Sequence, residues 1–336
     1  MKGTVHYETR GEIALLSIDN PPVNPLSSGV RQGLFDGMTK ALADEAVKAV
    51  VITGLNRAFI AGADISEFGA AASEGVGLGE ALEIMENSTK PVIAAINGTA
   101  FGGGLETALC CDYRIAAPTA PVGLPEVKLG LLPGAGGTQR LPRLIGAQAA
   151  LKAIVSGDPI MAPQAQKLGI VDRIAEGDIV EEGIKYAEEI VAAGSATRKI
   201  RDLTDKIAGD KGNTAVFENA AAQLNKTNRG QFAPAQILKC VEAAVNADSF
   251  DAGMAVEREC FAACMQDPQR EALIHIFFAE RAANKIPGLS KDDPLIDINK
   301  GSVIGSGTMG GGIAMCFANA GIPVRLHDNN AENLAK

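Results

Sequence analysis

Apolar and polar positions along the first 190 residues predict strands and helices in alternation. Val5 and Tyr7, then Ile13, Leu15 and Ile18, lie on either side of Arg10-Gly11 and predict two short strands over residues 4–19. Pro21-Pro22 ends the pair, and Ser27 or Ser28 is placed to cap a helix running to about Asp44. The run Val50-Val51-Ile52 predicts a strand over residues 47–53, and the Gly-rich stretch Ile60-Ala61-Gly62-Ala63-Asp64 follows. A helix fits residues 78–89. Pro91 then opens the strand Val92-Ile93-Ala94-Ala95-Ile96, and Asn97-Gly98 turns the chain. Gly102-Gly103-Gly104 leads into a helix over residues 105–111. Tyr113 to Ala116 reads as a strand, and Pro133-Gly134-Ala135-Gly136-Gly137-Thr138 opens another helix. Such alternation indicates an α/β unit.

The pattern changes twice after that. Residues 195–285 are helical in character, broken at Pro234, Asp248-Ser249 and Pro268, and read as a helical connector or docking layer. The polar stretch Lys291-Asp292-Asp293-Pro294 reads as a linker. Ser302-Val303-Ile304 then begins a strand, a helix runs through Ala320, and a second strand ends at Asp328. The expected domains are therefore 1–194, an α/β unit; 195–296, a helical connector; and 297–336, the start of a dinucleotide-binding fold. Gly305, Gly307 and Gly310 form a Gly-x-Gly-x-x-Gly turn between strand and helix, and Asp328 follows at the distance of about 20 residues that the Rossmann fingerprint requires. Such a turn places a pyrophosphate on the helix N-terminus and the acid on a ribose, and Asp favours NAD over NADP. A working domain of this kind needs about four to six parallel strands, whereas two are visible, so this dinucleotide-binding part is expected to be truncated.

Composition narrows the function classes. The chain of 336 residues has 46% hydrophobic positions, only 4% aromatics and no Trp, so Ala, Val, Ile and Leu must fill the core. The net charge of -9 argues against a nucleic-acid partner. An anionic ligand would need a local basic patch or helix N-termini. The basic residues around Arg198, Lys199 and Arg201 read as a solvated helix face, with contact to ligand phosphates as the alternative. Six cysteines without a zinc-spaced pair indicate reduced thiols and no metal centre; Cys260 and Cys264, one helical turn apart, read as packing. No signal peptide precedes the first strand, and no run approaches the ~18 apolar residues of a membrane span. A cytoplasmic protein without a membrane partner is expected, or one of a peroxisomal or mitochondrial matrix.

Two glutamates stand out against this background. Glu106 follows Gly102-Gly103-Gly104 on the first turn of its helix, where free N–H groups and the helix dipole favour an oxyanion and the missing Cβ atoms permit close approach. Glu126 comes 20 residues later in Gly123-Leu124-Pro125-Glu126, enough chain for a strand and a return to the same pocket. A carboxyl among apolar residues has its pKa raised toward working pH. Taken singly, each feature also has a structural reading: Glu106 complements the dipole, Glu126 is a solvated loop charge, and the glycines are a tight helix–strand crossing.

The stretch Ala58-Phe59-Ile60-Ala61-Gly62-Ala63-Asp64-Ile65 resembles the signature of the crotonase, or enoyl-CoA hydratase/isomerase, superfamily. So does Lys90-Pro91-Val92-Ile93-Ala94-Ala95-Ile96-Asn97-Gly98, running on through Phe101-Gly102-Gly103-Gly104-Leu105-Glu106. So does the stretch from Gly123 through Leu124-Pro125-Glu126 to Gly134-Ala135-Gly136-Gly137-Thr138-Gln139-Arg140-Leu141. The resemblance runs from the first strand to about residue 191. It implies a crotonase-like spiral of ββα units, followed here by the helical connector and an incomplete Rossmann βαβ start. It implies that Ala63 N–H and Gly103 N–H form an oxyanion hole, and that Glu106 and Glu126 hold a water between them. Water then adds at C3 of a 2-enoyl-CoA while a proton reaches C2, with Glu126 as the donor and Glu106 orienting and deprotonating the water. Ala61, Asp64, Ile65, Gly102, Pro125 and Gly134 are implied to line the substrate. Glu126 alone would also support Δ3-to-Δ2 isomerisation. Ser66 departs from relatives that carry Lys near the CoA.

The order of crotonase-like unit, connector and Rossmann start is similar to that of the multifunctional enzymes of fatty-acid β-oxidation. These continue into a 3-hydroxyacyl-CoA dehydrogenase, and neither His275 nor His327 matches its catalytic motif. The resemblance implies an acyl-CoA substrate, no cofactor for hydration, NAD for the missing domain, and self-association or association with a thiolase. The rival readings are a dehydrogenase, against which the missing strands count, and a non-catalytic acyl-CoA or RNA-binding relative, against which both glutamates and the net charge count.

Overall fold

The computed structural model describes residues 2–64, 75–194, 197–283, 285–290, 293–294 and 296–335. The chain opens with β1 (Thr4–Arg10) and β2 (Ile13–Asp19), an antiparallel hairpin that turns at Gly11 with φ +59°. Helix α1 (Ser28–Ala43) follows, and Ser27 stands at its N-cap. The expected side-chain cap is absent: the Ser27 hydroxyl donates instead to the Lys2 carbonyl at 2.5 Å. Gly29 explains the choice, because a Cβ there would collide with the Lys2 and Gly3 carbonyls. The N-terminal strand thus passes close enough to claim the hydroxyl.

Repeated ββα units follow. The first is β3 (Ala49–Gly54), β4 (Ala58–Ile60) and α2 (Leu78–Glu86); the second is β5 (Val92–Ile96), β6 (Thr99–Phe101) and α3 (Gly103–Cys110). The third is β7 (Tyr113–Ala116), β8 (Pro121–Gly123), a 3-10 turn at Glu126–Leu129 and α4 (Gly137–Ile145). Next come α5 (Ala147–Ser156), β9 (Ile160–Met161), α6 (Ala162–Leu168), β10 (Arg173–Ile174) and α7 (Ile179–Ala192). Within each unit the first strand joins one sheet and the second joins another. Among the described residues the larger sheet has the order β1-β2-β3-β5-β7-β10 and the smaller β4-β6-β8-β9. This is the spiral of ββα units that the family resemblance implies; the hydrophobic pattern by itself gives only the α/β alternation. The strands β4, β6 and β8 escaped that pattern because three residues are too few to show a period of two.

The parallel strands β3 and β5 are buried along their whole length, as strands covered on both faces must be. Alternate residues serve two cores. Ala49, Val51, Ile93 and Ala95 face α7, where Ile184, Ala187 and Ile190 cover them. Val50, Ile52, Val92, Ala94 and Ile96 face the larger core, shared with Phe59, Ile60, Ala100, Val122 and the helices around them. The smaller sheet is therefore packed on one face of the larger one, and the loops between them form the candidate site.

Helices α8 (Thr214–Thr227), α9 (Ala233–Asn246), α10 (Phe250–Gln266) and α11 (Pro268–Ala283) make up the later block. Pro234 sits in the first turn of α9, where its missing N–H leaves nothing unsatisfied. The Ser249 hydroxyl caps α10 by accepting from Ala252 N–H at 3.1 Å. Cys260 and Cys264 are buried free thiols on α10. Residues up to Ala279 form one compact unit, so α9 and α10 belong to the same body as the two sheets.

A second unit spans Glu280–Lys336. It contains β11 (Gly301–Ile304), α12 (Thr308–Asn319), β12 (Val324–His327) and α13 (Ala331–Ala335). Strands β11 and β12 pair in parallel, and α12 connects them. Ile304 is 91% exposed and Met309 77%, so apolar positions of this unit lack the cover that parallel strands normally have. Among the described residues, no helix is long and apolar enough to cross a membrane.

Candidate active site

The start of α3 lies beside the end of β4. Gly102 precedes the helix with φ +54° and ψ −125°, a conformation closed to residues with a Cβ, and its N–H donates to Gly123 O at 2.9 Å. A Cβ at Gly104 would collide with the Ile60 carbonyl, so this glycine permits the helix to touch β4. A Cβ at Gly103 would point between Leu26 Cδ1, at 2.9 Å, and Ala63 N, at 3.7 Å. The Ala63 backbone is held by its bridge to Leu26, whose N–H donates to Gly62 O at 2.9 Å. The Gly103 N–H belongs to the first turn of α3, where N–H groups have no partner within the helix. Two backbone segments with small residues thus converge at Ala63 and Gly103. Ala61 and Asp64 are half-buried beside them. Ile65 and Ser66 fall outside the described residues.

Glu106 sits one turn into α3 and is only 2% exposed. Its Oε1 accepts from Ala135 N–H at 2.8 Å and Gly137 N–H at 2.9 Å. These donors belong to the glycine-rich turn before α4, whose residue Gly136 has φ +94°. Burial raises the Glu106 pKa, while the two N–H groups and the Arg140 charge pull it down.

Glu126 opens the 3-10 turn after β8, with Pro125 before it. Its carboxyl lies against Gly102: a Cβ there would stand 2.8 Å from Oε1 and 3.9 Å from Oε2. Oε2 is buried without a hydrogen-bond partner. Burial first, then the Glu106 charge and, more weakly, Glu257, hold its pKa well above the ordinary carboxylate range. The two glutamates that the sequence separates by a strand pair therefore meet around one space, Glu106 held by two backbone N–H groups of the turn and Glu126 with its Oε2 unbonded.

A third carboxyl, Glu257 of α10, was not foreseen. It is fully buried, and its Oε1 accepts from Gly136 N–H at 2.7 Å. Its Oε2 accepts from Thr138 N–H at 3.2 Å and from the Thr138 hydroxyl. Burial and the Glu106 charge push its pKa up to about 8. The sequence did hold a signal: Gly253, Glu257, Cys260 and Cys264 are spaced four, three and four apart, the buried stripe of a helix. A glutamate on such a stripe marks a buried charge.

The cation whose charge acts on both Glu106 and Glu257, Arg140, gives its hydrogen bonds to other groups. Arg140 makes a two-pronged ion pair with Glu86, Nε to Oε1 and Nη2 to Oε2, both at 2.8 Å, with each side chain 5% exposed. Its Nη1 donates to Ala135 O at 2.9 Å. Arg140 thus fixes the turn while balancing Glu86. Among the described residues, no group of His, Cys, Asp or Glu is arranged to hold a metal ion.

Gly134 is exposed, and a Cβ on it would stand 2.6 Å from Phe261 Cδ2 of α10. In the second unit, Gly305 has φ +97°, Gly307 caps α12, and a Cβ at Gly310 would collide with the Gly305 carbonyl. Asp328 Oδ2 accepts from Ser306 N–H at 2.6 Å and from its hydroxyl at 2.8 Å; these N–H bonds hold its pKa below the usual range.

Residues 8–229 match the family described as enoyl-CoA hydratase/isomerase. The chain belongs to the enoyl-CoA hydratase/isomerase family. Its residues 300–336 match the NAD-binding domain of 3-hydroxyacyl-CoA dehydrogenase. A peroxisomal bifunctional enzyme from Cavia porcellus is 42% identical over 328 residues, covering 96% of this chain and 45% of that protein. The chain thus spans about half the length of the curated relatives it matches. Among solved structures, a carnitinyl-CoA hydratase from Mycobacterium avium has a TM-score of 0.60 at 28% identity, covering 84% of this chain and 97% of that one. An enoyl-CoA hydratase subunit from Geobacillus kaustophilus has a TM-score of 0.53 at 28% identity, covering 82% and 95%. This hydratase/isomerase-family chain therefore carries a crotonase-type enzyme domain with general enoyl-CoA hydratase/isomerase chemistry, and a segment of NAD-binding type beyond it.

Proposed function

We propose that the first unit adds water across the double bond of a 2-trans-enoyl-CoA to give the 3-hydroxyacyl-CoA of fatty-acid β-oxidation. The observation that carries this reading is the pairing of Glu106 and Glu126, both buried, both raised in pKa and differently held. Glu106, with two N–H donors and Arg140 nearby, is the first of the pair to ionise. Glu126 keeps its proton. The thioester oxygen accepts hydrogen bonds from Ala63 N–H and Gly103 N–H, which stabilise the enolate-like charge. Glu106 takes a proton from water as the water oxygen bonds to C3, and Glu126 gives its proton to C2. One water is added; Glu106 ends protonated and Glu126 ionised, and exchange with solvent resets them. Ala61, Asp64, Gly102, Pro125 and Gly134 complete the proposed substrate wall.

The free Oε2 of Glu126 favours a second activity. In the fraction of molecules in which Glu126 is ionised, its carboxylate can take a proton from C4 and return it to C2, which converts a Δ3-enoyl-CoA to the Δ2 isomer and leaves Glu126 ionised again. For the whole protein we propose a bifunctional enzyme that adds NAD-dependent oxidation of the hydroxyacyl product. The residues fit half of that cofactor: the Gly305, Gly307 and Gly310 turn and the α12 N-terminus would take the pyrophosphate, and Asp328 the ribose, sharing it with Ser306. The direct test of the hydratase reading is loss of the conjugated absorbance of crotonyl-CoA on addition of the chain. Unchanged absorbance with folded protein refutes it.

A further inference from the structure

Helix α10 lies across the glycine-rich turn of the site. Gly253 lets it approach, since a Cβ there would collide with Gln139 Oε1. One turn later Glu257 reaches the turn, and one more turn on Phe261 lies against one side of Gly134. The backbone N–H groups of residues 135–138 are shared out in alternation. Ala135 and Gly137 donate to Glu106, whereas Gly136 and Thr138 donate to Glu257. The Thr138 hydroxyl also donates to Glu257, and the Gln139 side-chain amide braces that hydroxyl at 2.9 Å while donating to Cys240 O at 2.9 Å. The turn is thus clamped between two carboxyls on opposite sides.

We propose that Glu257 is a positioning residue for the hydration: it fixes the far side of the turn whose near side aims Glu106 at the water. The inference rests on the hydratase reading. Glu257 touches no reacting atom in this scheme; it acts through the backbone of residues 135–138. An acceptor on the far side is required because four successive N–H groups cannot all reach Glu106, and two of them would otherwise be buried without partners. The helix that provides it lies beyond residue 229, where the family match ends.

Glu257 also adds a charge that a purely structural brace would lack. The groups facing it are Glu106 from α3, Glu126 from the 3-10 turn, Arg140 from α4, Cys240 from α9 and Cys260 on its own helix. Once ionised, Glu257 adds a negative charge that raises the Glu126 pKa further, more weakly than burial and the Glu106 charge do.

The test compares the Glu257→Ala and Glu257→Gln variants in crotonyl-CoA hydration over pH 5–10, with the folded fraction measured alongside. Misplacement by about 1 Å costs on the order of 10²-fold in rate, so Glu257→Ala should lose that factor in kcat per folded molecule with KM little changed. Glu257→Gln keeps the span of the side chain and one of its two acceptor oxygens, so it should restore part of kcat, but its alkaline limb should move to lower pH. An unchanged kcat in Glu257→Ala, a loss confined to KM, or an unmoved alkaline limb in Glu257→Gln overturns the proposal. If Glu257→Ala does not fold, the limb in Glu257→Gln decides. If the wild-type chain does not hydrate crotonyl-CoA, the hydratase reading fails by itself. The carboxyl titration of Glu126, followed by carbon-13 NMR, then decides the electrostatic half: it must move to lower pH in Glu257→Gln, and a fixed titration overturns the inference.

Discussion

Gly102→Ala tests the geometry of the site at one atom. Gly102 has φ +54° and ψ −125°, and a methyl group there would stand 2.8 Å from Glu126 Oε1. Two effects add. Forcing a residue with a Cβ into such a conformation costs about 1–3 kcal/mol. The carboxyl must also retreat by about half an ångström to reach ordinary van der Waals contact, and displacements near 1 Å at a reacting group cost about 10²-fold in rate. We expect a kcat for crotonyl-CoA hydration reduced roughly 10- to 100-fold, with KM little changed and a lower unfolding midpoint in urea. Gly11→Ala separates the two effects. Gly11 has φ +59°, but its methyl group would meet nothing within 4 Å. It should lose about 1–2 kcal/mol of stability and keep full turnover per folded molecule. A Gly102→Ala variant with normal kcat would mean that the Glu126 carboxyl does not work from where the structure places it.

The remaining expectations concern the same site and the second unit. Glu106→Gln and Glu126→Gln should each lower hydration by about 10²–10⁴, with thioester binding retained; near-normal turnover removes that residue from the mechanism. Glu126→Gln should also stabilise the fold, more at pH 8 than at pH 5. Its folded pKa lies above the ordinary value, so the stability it contributes is present in acid and is lost as pH rises; urea titrations at both pH values would reveal a wrong sign. Gly103→Val should abolish hydration while the fold survives, because the side chain fills the space between Leu26 and Ala63 N; normal activity would show that the Gly103 N–H is not an oxyanion donor. Addition of NAD and 3-hydroxybutyryl-CoA to this chain should give no NADH, since the paired strands β11 and β12 leave Ile304 uncovered; any NADH formed contradicts this.

Much of the architecture was legible because its signals are local. Val92 to Ile96 behind Pro91 reads as a strand from its apolar run, and the structure places a buried parallel strand at those residues. Glu106 and Glu126 could be singled out because glycines and prolines mark the turns that hold them. Three kinds of feature were hidden. The strands β4, β6 and β8 exist because a neighbour offers a parallel edge, which no three-residue string can announce. The Ser27 hydroxyl turned from its helix because Lys2, 25 residues earlier, passes within reach. Glu257 lies 121 residues beyond Gly136, on a helix whose register alone hinted at a buried acid.

The site also explains how three carboxyls can share one interior. Each has a folded pKa above its ordinary value, so folding favours the protonated forms and loses stability as pH rises; for Glu257 the loss is complete only above about pH 8. Left unsupported, such burial would cost several kcal/mol per charge. The glycine-rich turn offsets this for two of them. Its N–H groups face the interior with no helix or strand to use them, so they need acceptors as much as the glutamates need donors. Glu106 and Glu257 satisfy that mutual need and are immobilised by it. Glu126 is left out, because no donor reaches its Oε2. Burial outweighs the one backbone hydrogen bond that its carboxyl receives, so it keeps its proton, and at Oε2 no hydrogen bond has to break before a proton moves. A group that must hand a proton to carbon is best placed where the fold gives it least support, and the same turn that steadies its two neighbours makes that position tolerable.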